Sequence, residues 1–219
     1  MDVILFGASG MIGQGVLREC LLDPDVERVL AIGRSATATD HPKFHELVLK
    51  NLLDYSGVES QLSGFDACFF CLGVSSAGMS EQDYRRVTYD ITIAAASTLA
   101  RLNPQMTFVF ISGAGTDSSE RGRTMWARIK GQTENELLRK PFKDAYMLRP
   151  GVIVPLHGIK SRTTVYRVAY SVMSPLLPLL RALFPSSVLT TEQLGRAMIK
   201  IARQGAPKRV LEASDISRV

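Results

Sequence analysis

The sequence predicts an α/β protein built on a doubly wound parallel sheet, with helices on both faces and a C-terminal helical region. Three observations support this prediction. Short apolar runs alternate with helical patterns along most of the chain. The first run, residues 3–6, leads through glycines directly into a helical pattern. Polar, glycine-containing loops follow the later runs, as expected for the carboxyl edge of a parallel sheet.

Length and composition indicate one globular domain over residues 1–219, in which residues 156–219 form mainly a helical cap. Hydrophobic residues make up 46% of the chain and charged residues 21%, which excludes a disordered protein. The net charge of +5 is scattered and does not indicate a nucleic-acid surface. The three cysteines are interpreted as buried small hydrophobes rather than a redox pair. No secretion signal is recognisable, which predicts a cytoplasmic protein.

The first strand is followed by glycines in the spacing GxxGxxG, and residues 14–22 then have a helical pattern. Gly7 permits a tight turn, Gly10 a close approach of pyrophosphate, and Gly13 close packing of helix on strand. Backbone N–H groups and the helix dipole both favour an anion at such a place. The loop therefore predicts a nucleotide site, and the alternative is a glycine-rich turn that merely packs.

A second strand, residues 28–33, ends in Arg34 and Ser35. At this point dinucleotide folds use an acidic residue for a ribose 2′-hydroxyl, whereas an arginine suits a 2′-phosphate. Because no acidic residue ends the strand, the sequence predicts NADP(H) in preference to NAD(H). A solvent-facing arginine is the alternative.

Asp54 follows a third strand, predicted over residues 44–49. Its carboxylate is expected either to accept hydrogen bonds from an adenine amino group or to cap a helix that begins near Ser56. The sequence does not distinguish the two.

A fourth strand, residues 65–72, ends in Cys71, Leu72 and Gly73, whose backbone is expected to approach the cofactor. A long helix over residues 81–102 and a fifth strand over residues 106–111 follow, and the strand leads to Ser112.

The next helix carries Trp126 and Lys130, four residues apart and hence on one face. A sixth strand, residues 145–148, runs into the loop Pro150, Gly151 and Val152.

Residues 166–184 are largely apolar but are interrupted by prolines, and the uninterrupted stretch is too short for a membrane span. They are expected to pack over the sheet or to form a surface for a second copy or a protein partner. Contact with a membrane surface is a lesser option. A capped amphipathic helix through residue 202 and an edge strand over residues 210–212 complete the chain.

Five motifs occur in order: GASGMIG, GRS, CLG, ISGAG and LRPGV. Together they resemble the atypical short-chain dehydrogenases/reductases, which have a Rossmann fold, and in particular the branch that includes the Tat-interacting protein. The resemblance covers nearly the whole chain, although none of the motifs is specific alone. It implies an NADP(H)-dependent oxidoreductase with an undefined small-molecule substrate.

The resemblance also implies a catalytic Tyr-x-x-x-Lys pair with a serine at the end of the fifth strand. Tyrosine supplies a proton to the carbonyl oxygen, lysine lowers the tyrosine pKa and holds the ribose, and serine orients the carbonyl. Ser112 and Lys130 match the family's serine and lysine. Trp126 stands at the tyrosine position, and an indole N–H is no general acid near neutral pH.

Three interpretations follow from this departure. The protein is a reductase with atypical or weak chemistry, its proton coming from Ser112 through water or from Tyr84 or Tyr89; or it is a non-catalytic, NADP(H)-sensing regulatory protein; or it is an interaction module. No metal site is expected. The predicted cofactor-binding residues are Gly7, Ser9, Gly10, Met11, Ile12, Gly13, Arg34, Ser35, Asp54, Cys71, Leu72, Gly73, Lys130, Pro150, Gly151 and Val152.

Overall fold

A computed structural model describes residues 1–159 and 188–219 of the chain. Within them, seven parallel strands form one sheet, and two more form a small second sheet. The strand order of the large sheet is β3-β2-β1-β4-β5-β6-β9, and β7 pairs with β8. The strands are β1 (Asp2–Phe6), β2 (Arg28–Gly33), β3 (Phe44–Val48), β4 (Ala67–Phe70), β5 (Thr107–Ile111), β6 (Asp144–Arg149), β7 (Val152–Val154), β8 (Val188–Thr190) and β9 (Val210–Glu212).

Helices connect most of these strands. They are α1 (Met11–Leu22), α2 (Glu81–Arg85), α3 (Ile91–Leu102), α4 (Met125–Leu138), α5 (Thr191–Gln204) and α6 (Ala213–Ile216). A π-helical turn, Arg86–Asp90, joins α2 to α3, so the long helix predicted over residues 81–102 is continuous. A 3-10 turn, Glu59–Gln61, stands where a helix was expected after Asp54.

The sheet separates two hydrophobic cores, because alternate residues of each strand point to opposite faces. Side chains from α1 and α5 pack on one face, and side chains from α3 and α4 pack on the other. Cys20 is buried in the first core and Cys68 in the second, and all three cysteines are free. The doubly wound α/β fold predicted from the sequence is confirmed.

Helix α5 packs directly on α1 through glycines. A Cβ added at Gly15 would lie 2.6 Å from Cβ of Thr191, and one added at Gly195 would lie 2.8 Å from Cγ of Glu19. Thr190 caps α5 by accepting a hydrogen bond from the N–H of Gln193, and of the two threonines that the sequence offers for the predicted cap, Thr190 and Thr191, it is the first that serves. Residues 188–219 therefore contribute a helix and a strand to the main layers of the fold.

The patch predicted over residues 166–184 lies wholly outside the described residues, and so do residues 160–187 of the cap predicted over residues 156–219. Both stay predictions. Over the two described ranges, no helix combines the length and the apolar character needed to cross a membrane.

The connection from β2 to β3 contains no helix. Residues 34–43 instead fold back over the edge strand, and the backbone N–H of Thr37 donates to Oε1 of Glu46 on β3, 2.7 Å away. Lys43 anchors the other end of this connection by donating to the carbonyl of Asp23. This loop borders the cleft described next.

Candidate nucleotide site

A cavity of about 590 Å³ opens at the carboxyl edge of the sheet. The ends of β1, β2, β4 and β5 form its base, because the carboxyl ends of parallel strands meet at one edge. Twelve of the predicted site residues line it together: Gly7, Ser9, Gly10, Met11, Ile12, Arg34, Ser35, Cys71, Leu72, Gly73, Ser112 and Lys130.

The glycine loop is held in a shape that no larger residue would permit. Gly7 has a φ of +80°, and a Cβ there would lie 2.7 Å from the backbone nitrogen of Leu72. A Cβ at Gly13 would lie 2.0 Å from the carbonyl oxygen of Gly7. Gly13 therefore lies beneath the loop rather than in the cavity wall. It allows α1 to pack closely on the Gly7 turn, and this close packing is what the sequence predicted for Gly13.

The N-terminus of α1 is open to an anion. Gly10 is its N-cap residue, so no side chain caps the helix, and no acidic residue lies in its first turn. Gln14, in the first turns of α1, donates from Nε2 to the carbonyl of Ser9, 3.1 Å away, and this hydrogen bond stabilises the glycine loop. Backbone N–H groups of a first helical turn have no partner within the helix, so this end can receive a phosphate.

Arg34 and Ser35 leave β2 at the side of the cavity next to the edge strand β3. Both are exposed. Thr37 and Glu46 line the same part of the cavity, joined by the hydrogen bond described above. An arginine and a glutamate thus share this end of the cleft.

Lys130 projects from α4 into the opposite end of the cavity. Its Nζ lies 3.4 Å from the carbonyl oxygen of Ile111, to which it donates, and 5.3 Å from the centre of the Phe110 ring. Burial lowers the pKa of Lys130 to about 8, and the nearby charge of Glu134 opposes this shift. Burial of the Lys130 ammonium group is therefore unfavourable, and its pKa lies close to neutral pH.

Ser112 is buried at the end of β5, and its Oγ lies 3.0 Å from Oγ1 of Thr116. The Thr116 hydroxyl in turn donates to the carbonyl of Gly113, 2.8 Å away. A hydroxyl has one proton, so Thr116 accepts the proton of Ser112 when it donates to Gly113. In this arrangement Ser112 presents lone pairs, and not its proton, to the cleft.

Trp126 does not line the cavity. It is half-buried against the loop after β5, where a Cβ added at Gly115 would lie 3.5 Å from Cη2 of the indole. Tyr84 is buried, and the ring of Tyr89 lies 4.1 Å beneath the Arg85 guanidinium. Neither tyrosine is among the described residues of the cavity wall.

A buried ion pair supports the wall beside Lys130. Glu134, one turn further along α4, is 1% exposed and accepts from Nε of Arg149 at 3.0 Å. Arg149 also contacts Ser118 in the loop after β5 and Glu212 at the end of β9. The carboxylates raise the pKa of the Arg149 guanidinium, with the hydrogen bond to Glu134 as the largest cause. The Arg149 side chain thus links β6, on which it lies, to α4, to the loop after β5 and to β9.

Pro150, Gly151 and Val152 follow Arg149 but lie outside the described cavity wall. The carbonyl of Pro150 accepts from the N–H of Ala114, so this loop is tied to the loop after β5. Val152 is exposed and begins β7.

Asp54 also lies outside the cavity wall. Its Oδ1 accepts from the N–H of Ser56 at 3.0 Å, and this hydrogen bond lowers the pKa of the carboxyl. The geometry corresponds to the capping alternative, with a turn in place of a helix.

Several residues of the cleft were not identified from the sequence. Thr37 and Glu46 are polar, and Val87 and Ile91 come from the π-helical turn and the start of α3. Thr116, which was also not identified, contacts Ser112 without lining the described cavity wall. Their positions depend on long-range packing, for which the sequence has no local signal. Within residues 1–159 and 188–219, no cluster of three His, Cys, Asp or Glu side chains has the arrangement of a metal site.

No family model matches the chain. Protein FMP52, mitochondrial, of Eremothecium gossypii is 29% identical over 156 residues, which cover 70% of this chain and 67% of that protein. Protein HTATIP2 of Rattus norvegicus is 26% identical over 156 residues, which cover 70% of this chain and 63% of that protein. The matched region thus spans about two thirds of each relative.

Solved structures share the fold at low sequence identity. The Bordetella bronchiseptica enzyme WbmF, in complex with NAD⁺, superposes with a TM-score of 0.69 at 14% identity, over 99% of this chain and 76% of that one. Uronate dehydrogenase from Agrobacterium tumefaciens has a TM-score of 0.66 at 18% identity, over 97% of this chain and 76% of that one. At such identities the likeness shows the fold alone.

One prediction from the sequence is wrong. The chain was expected to be cytoplasmic, but several of its relatives are FMP52 proteins, which are named mitochondrial. They point to mitochondria instead. The sequence offered no basis for the correction, because the absence of a recognisable signal is weak evidence.

The other comparisons agree with the motifs, since relatives in sequence include HTATIP2 and neighbours in structure include dehydrogenases. In both sequence and fold, the chain resembles the atypical short-chain dehydrogenases/reductases of the branch that includes the Tat-interacting protein.

Proposed function

We propose that this protein binds NADP(H) and acts as an oxidoreductase of the atypical short-chain type, with weak carbonyl chemistry. The observation that carries the proposal is the cavity at the carboxyl edge, which joins the glycine loop, Arg34, Ser112 and Lys130. Structural neighbours crystallised with NAD⁺ and NADH support a nicotinamide cofactor. Since the FMP52 relatives are named mitochondrial, the proposed place of action is the mitochondrion.

The residues present fit a dinucleotide. The first turn of α1 offers uncapped N–H groups to a pyrophosphate, and a Cβ at Gly73 would meet nothing within 4 Å, which leaves room for a ligand. Lys130, at the far end of the cavity, is in a position to hold a ribose hydroxyl. Arg34, at the near end, would bind a 2′-phosphate, and this is the basis for preferring NADP(H).

The chemistry is limited by the side chain at position 126. Bound NADPH supplies a hydride, and the protein must supply a proton to the carbonyl oxygen. Trp126 cannot do so, because an indole N–H does not ionise near neutral pH. Lys130 Nζ, with a pKa of about 8, can give up a proton directly to the carbonyl oxygen. Loss of a dedicated general acid costs about 10²–10⁴ in rate, so slow turnover is expected.

A second candidate is a non-catalytic, NADP(H)-sensing regulatory protein. Two observations favour it: the tryptophan at the tyrosine position, and the engagement of the Ser112 proton by Thr116. Neither feature impairs the glycine loop, so nucleotide binding would survive without turnover.

The experiment that tests both candidates is a titration of the purified protein with NADPH and with NADH, followed by fluorescence of Trp126, the single tryptophan. Tighter binding of NADPH, reproduced by calorimetry, is expected. If neither nucleotide binds by either method, both candidates are refuted. If both bind equally, the NADP(H) preference is refuted and the nicotinamide site is retained.

A further inference from the structure

We infer that Glu46 is a cofactor-selectivity residue, whose carboxylate opposes binding of a 2′-phosphate beside Arg34. The inference rests on the proposed nicotinamide nucleotide site and concerns its adenosine end. It gives a role to a residue that lies on an edge strand and outside every motif of the sequence.

The position of Glu46 follows from the sheet. Strand β3 is parallel to β2, and Glu46 stands opposite Ala31 in the register, three residues before Arg34 along the chain of β2. The connection between the strands has no helix and folds back, so Thr37 reaches Glu46. Among the described residues that line the cavity, Glu46 is the only acidic side chain, and Arg34 and Lys130 are the basic ones.

The hydrogen bond from Thr37 fixes the charge in place. Oε1 of Glu46 accepts the Thr37 N–H at 2.7 Å, so the carboxylate is held against the loop that carries Arg34 and Ser35. A ribose 2′-phosphate seated on Arg34 would bring close to two negative charges into the same end of the cavity. A 2′-hydroxyl would bring none. The additional repulsion between Glu46 and the 2′-phosphate therefore acts on NADPH, which carries that phosphate, and not on NADH, which lacks it.

The substitution Glu46→Gln removes the negative charge of the side chain and keeps its shape. The amide oxygen of glutamine still accepts the Thr37 N–H, so the loop keeps its hydrogen bond while the negative charge is removed. We expect the dissociation constant for NADPH to fall by roughly threefold to tenfold at low salt, with that for NADH unchanged. The gain should shrink as ionic strength rises, because the Glu46 carboxylate is exposed to solvent.

Glu27→Gln is the matched control. Glu27 precedes β2 at the opposite, amino edge of the sheet, and its side chain is 80% exposed. The substitution changes the net charge of the protein equally and should leave both nucleotides unaffected. Circular dichroism and urea unfolding of each variant verify that the fold is intact.

Calorimetric titrations of wild type and both variants with NADPH and NADH then decide the matter. An NADPH-selective gain in Glu46→Gln alone supports the inference. An unchanged ratio of the two affinities overturns it, as does an equal loss of both nucleotides, which would make Glu46 only a support for the loop. Weaker NADH with unchanged NADPH also overturns it, because Glu46 would then be a ligand of the 2′-hydroxyl. If wild type binds neither nucleotide, the proposed function itself fails.

Discussion

The glycine loop after β1 provides a graded test, because a methyl group added at different glycines meets very different surroundings. At Gly13 the new Cβ would lie 2.0 Å from the Gly7 carbonyl oxygen, which is backbone and cannot rotate away. At Gly10 the nearest atom is the same oxygen at 3.3 Å, and at Gly73 nothing lies within 4 Å. Alanine at these three positions should therefore perturb the protein in the order 13, 10, 73.

The magnitudes follow from general costs. Overpacking a well-packed site costs about 1–3 kcal/mol, and the clash at Gly13 is severe enough that Gly13→Ala should lose about 3 kcal/mol or more, despite the gain of ~1 kcal/mol from replacing a helical glycine. Gly10→Ala should lose about 1 kcal/mol, partly because alanine is a poorer N-cap residue than glycine. Gly73→Ala should stay within about 0.5 kcal/mol.

Urea unfolding monitored by circular dichroism measures these differences in stability, and titration of the same proteins with NADPH measures their affinity for the nucleotide. Gly73→Ala should keep its stability but bind NADPH more weakly, since its methyl group would occupy space left for the ligand. If Gly13→Ala unfolds at the same urea concentration as wild type, helix α1 does not pack on the Gly7 turn as described. If Gly73→Ala binds normally, the loop after β4 does not contact the nucleotide.

Three further predictions concern charged and catalytic positions. Arg34→Ala should weaken NADPH roughly tenfold or more and leave NADH nearly unchanged in calorimetry, and equal losses would remove the 2′-phosphate role. Lys130→Met should be more stable than wild type at pH 7. Below its depressed pKa of about 8, Lys130 is charged in the folded protein, and burial makes that charge unfavourable. In urea unfolding, this advantage of the variant should shrink between pH 8 and the unperturbed pKa of 10.5, because the lysine becomes neutral in the folded protein over that range. A stability difference between variant and wild type that does not change with pH would contradict the burial of the charge. Trp126→Tyr should raise NADPH-dependent reduction of generic carbonyls by as much as ~10² if the smaller ring turns from Gly115 into the cavity beside Lys130, and the absence of any gain, with NADPH still bound, would favour the regulatory candidate.

The parts of the fold that could be predicted are those with local signals. The glycine spacing after β1 predicted the tight turn at Gly7 and the close packing at Gly13, because both are properties of the backbone itself. The alternation of strands and helices predicted the parallel sheet, and parallel strands necessarily bring the ends of β1, β2, β4 and β5 to one edge. Ser112 lies at this edge for the same reason, because it follows β5, whereas Lys130 reaches the cavity from helix α4.

The residues that were missed depend on contacts between distant segments. Nothing near Glu46 in the sequence indicates that the β2–β3 connection lacks a helix and returns to it. The proton of Ser112 is controlled by Thr116, whose orientation depends on the loop between them. Trp126 stands at the tyrosine position of the motif, but its ring lies beside Gly115 and outside the described cavity wall, and the motif has no signal for that orientation.

The buried pairing of Arg149 has a consequence for how the site opens. Its guanidinium pairs with the buried carboxylate of Glu134 on α4 and with the half-exposed carboxylate of Glu212 on β9, and it also donates to the Ser118 hydroxyl. Separating α4 from β6, which carries Arg149, would remove the buried partner of this charge, and breaking a buried ion pair costs about 3–5 kcal/mol. These segments should accordingly exchange their amide hydrogens as one cooperative block, whereas the Arg34 loop, which is attached to β3 through Thr37, can open separately. The two ends of the cleft would thus differ in rigidity, with the adenosine end free to adapt and the Lys130 end fixed.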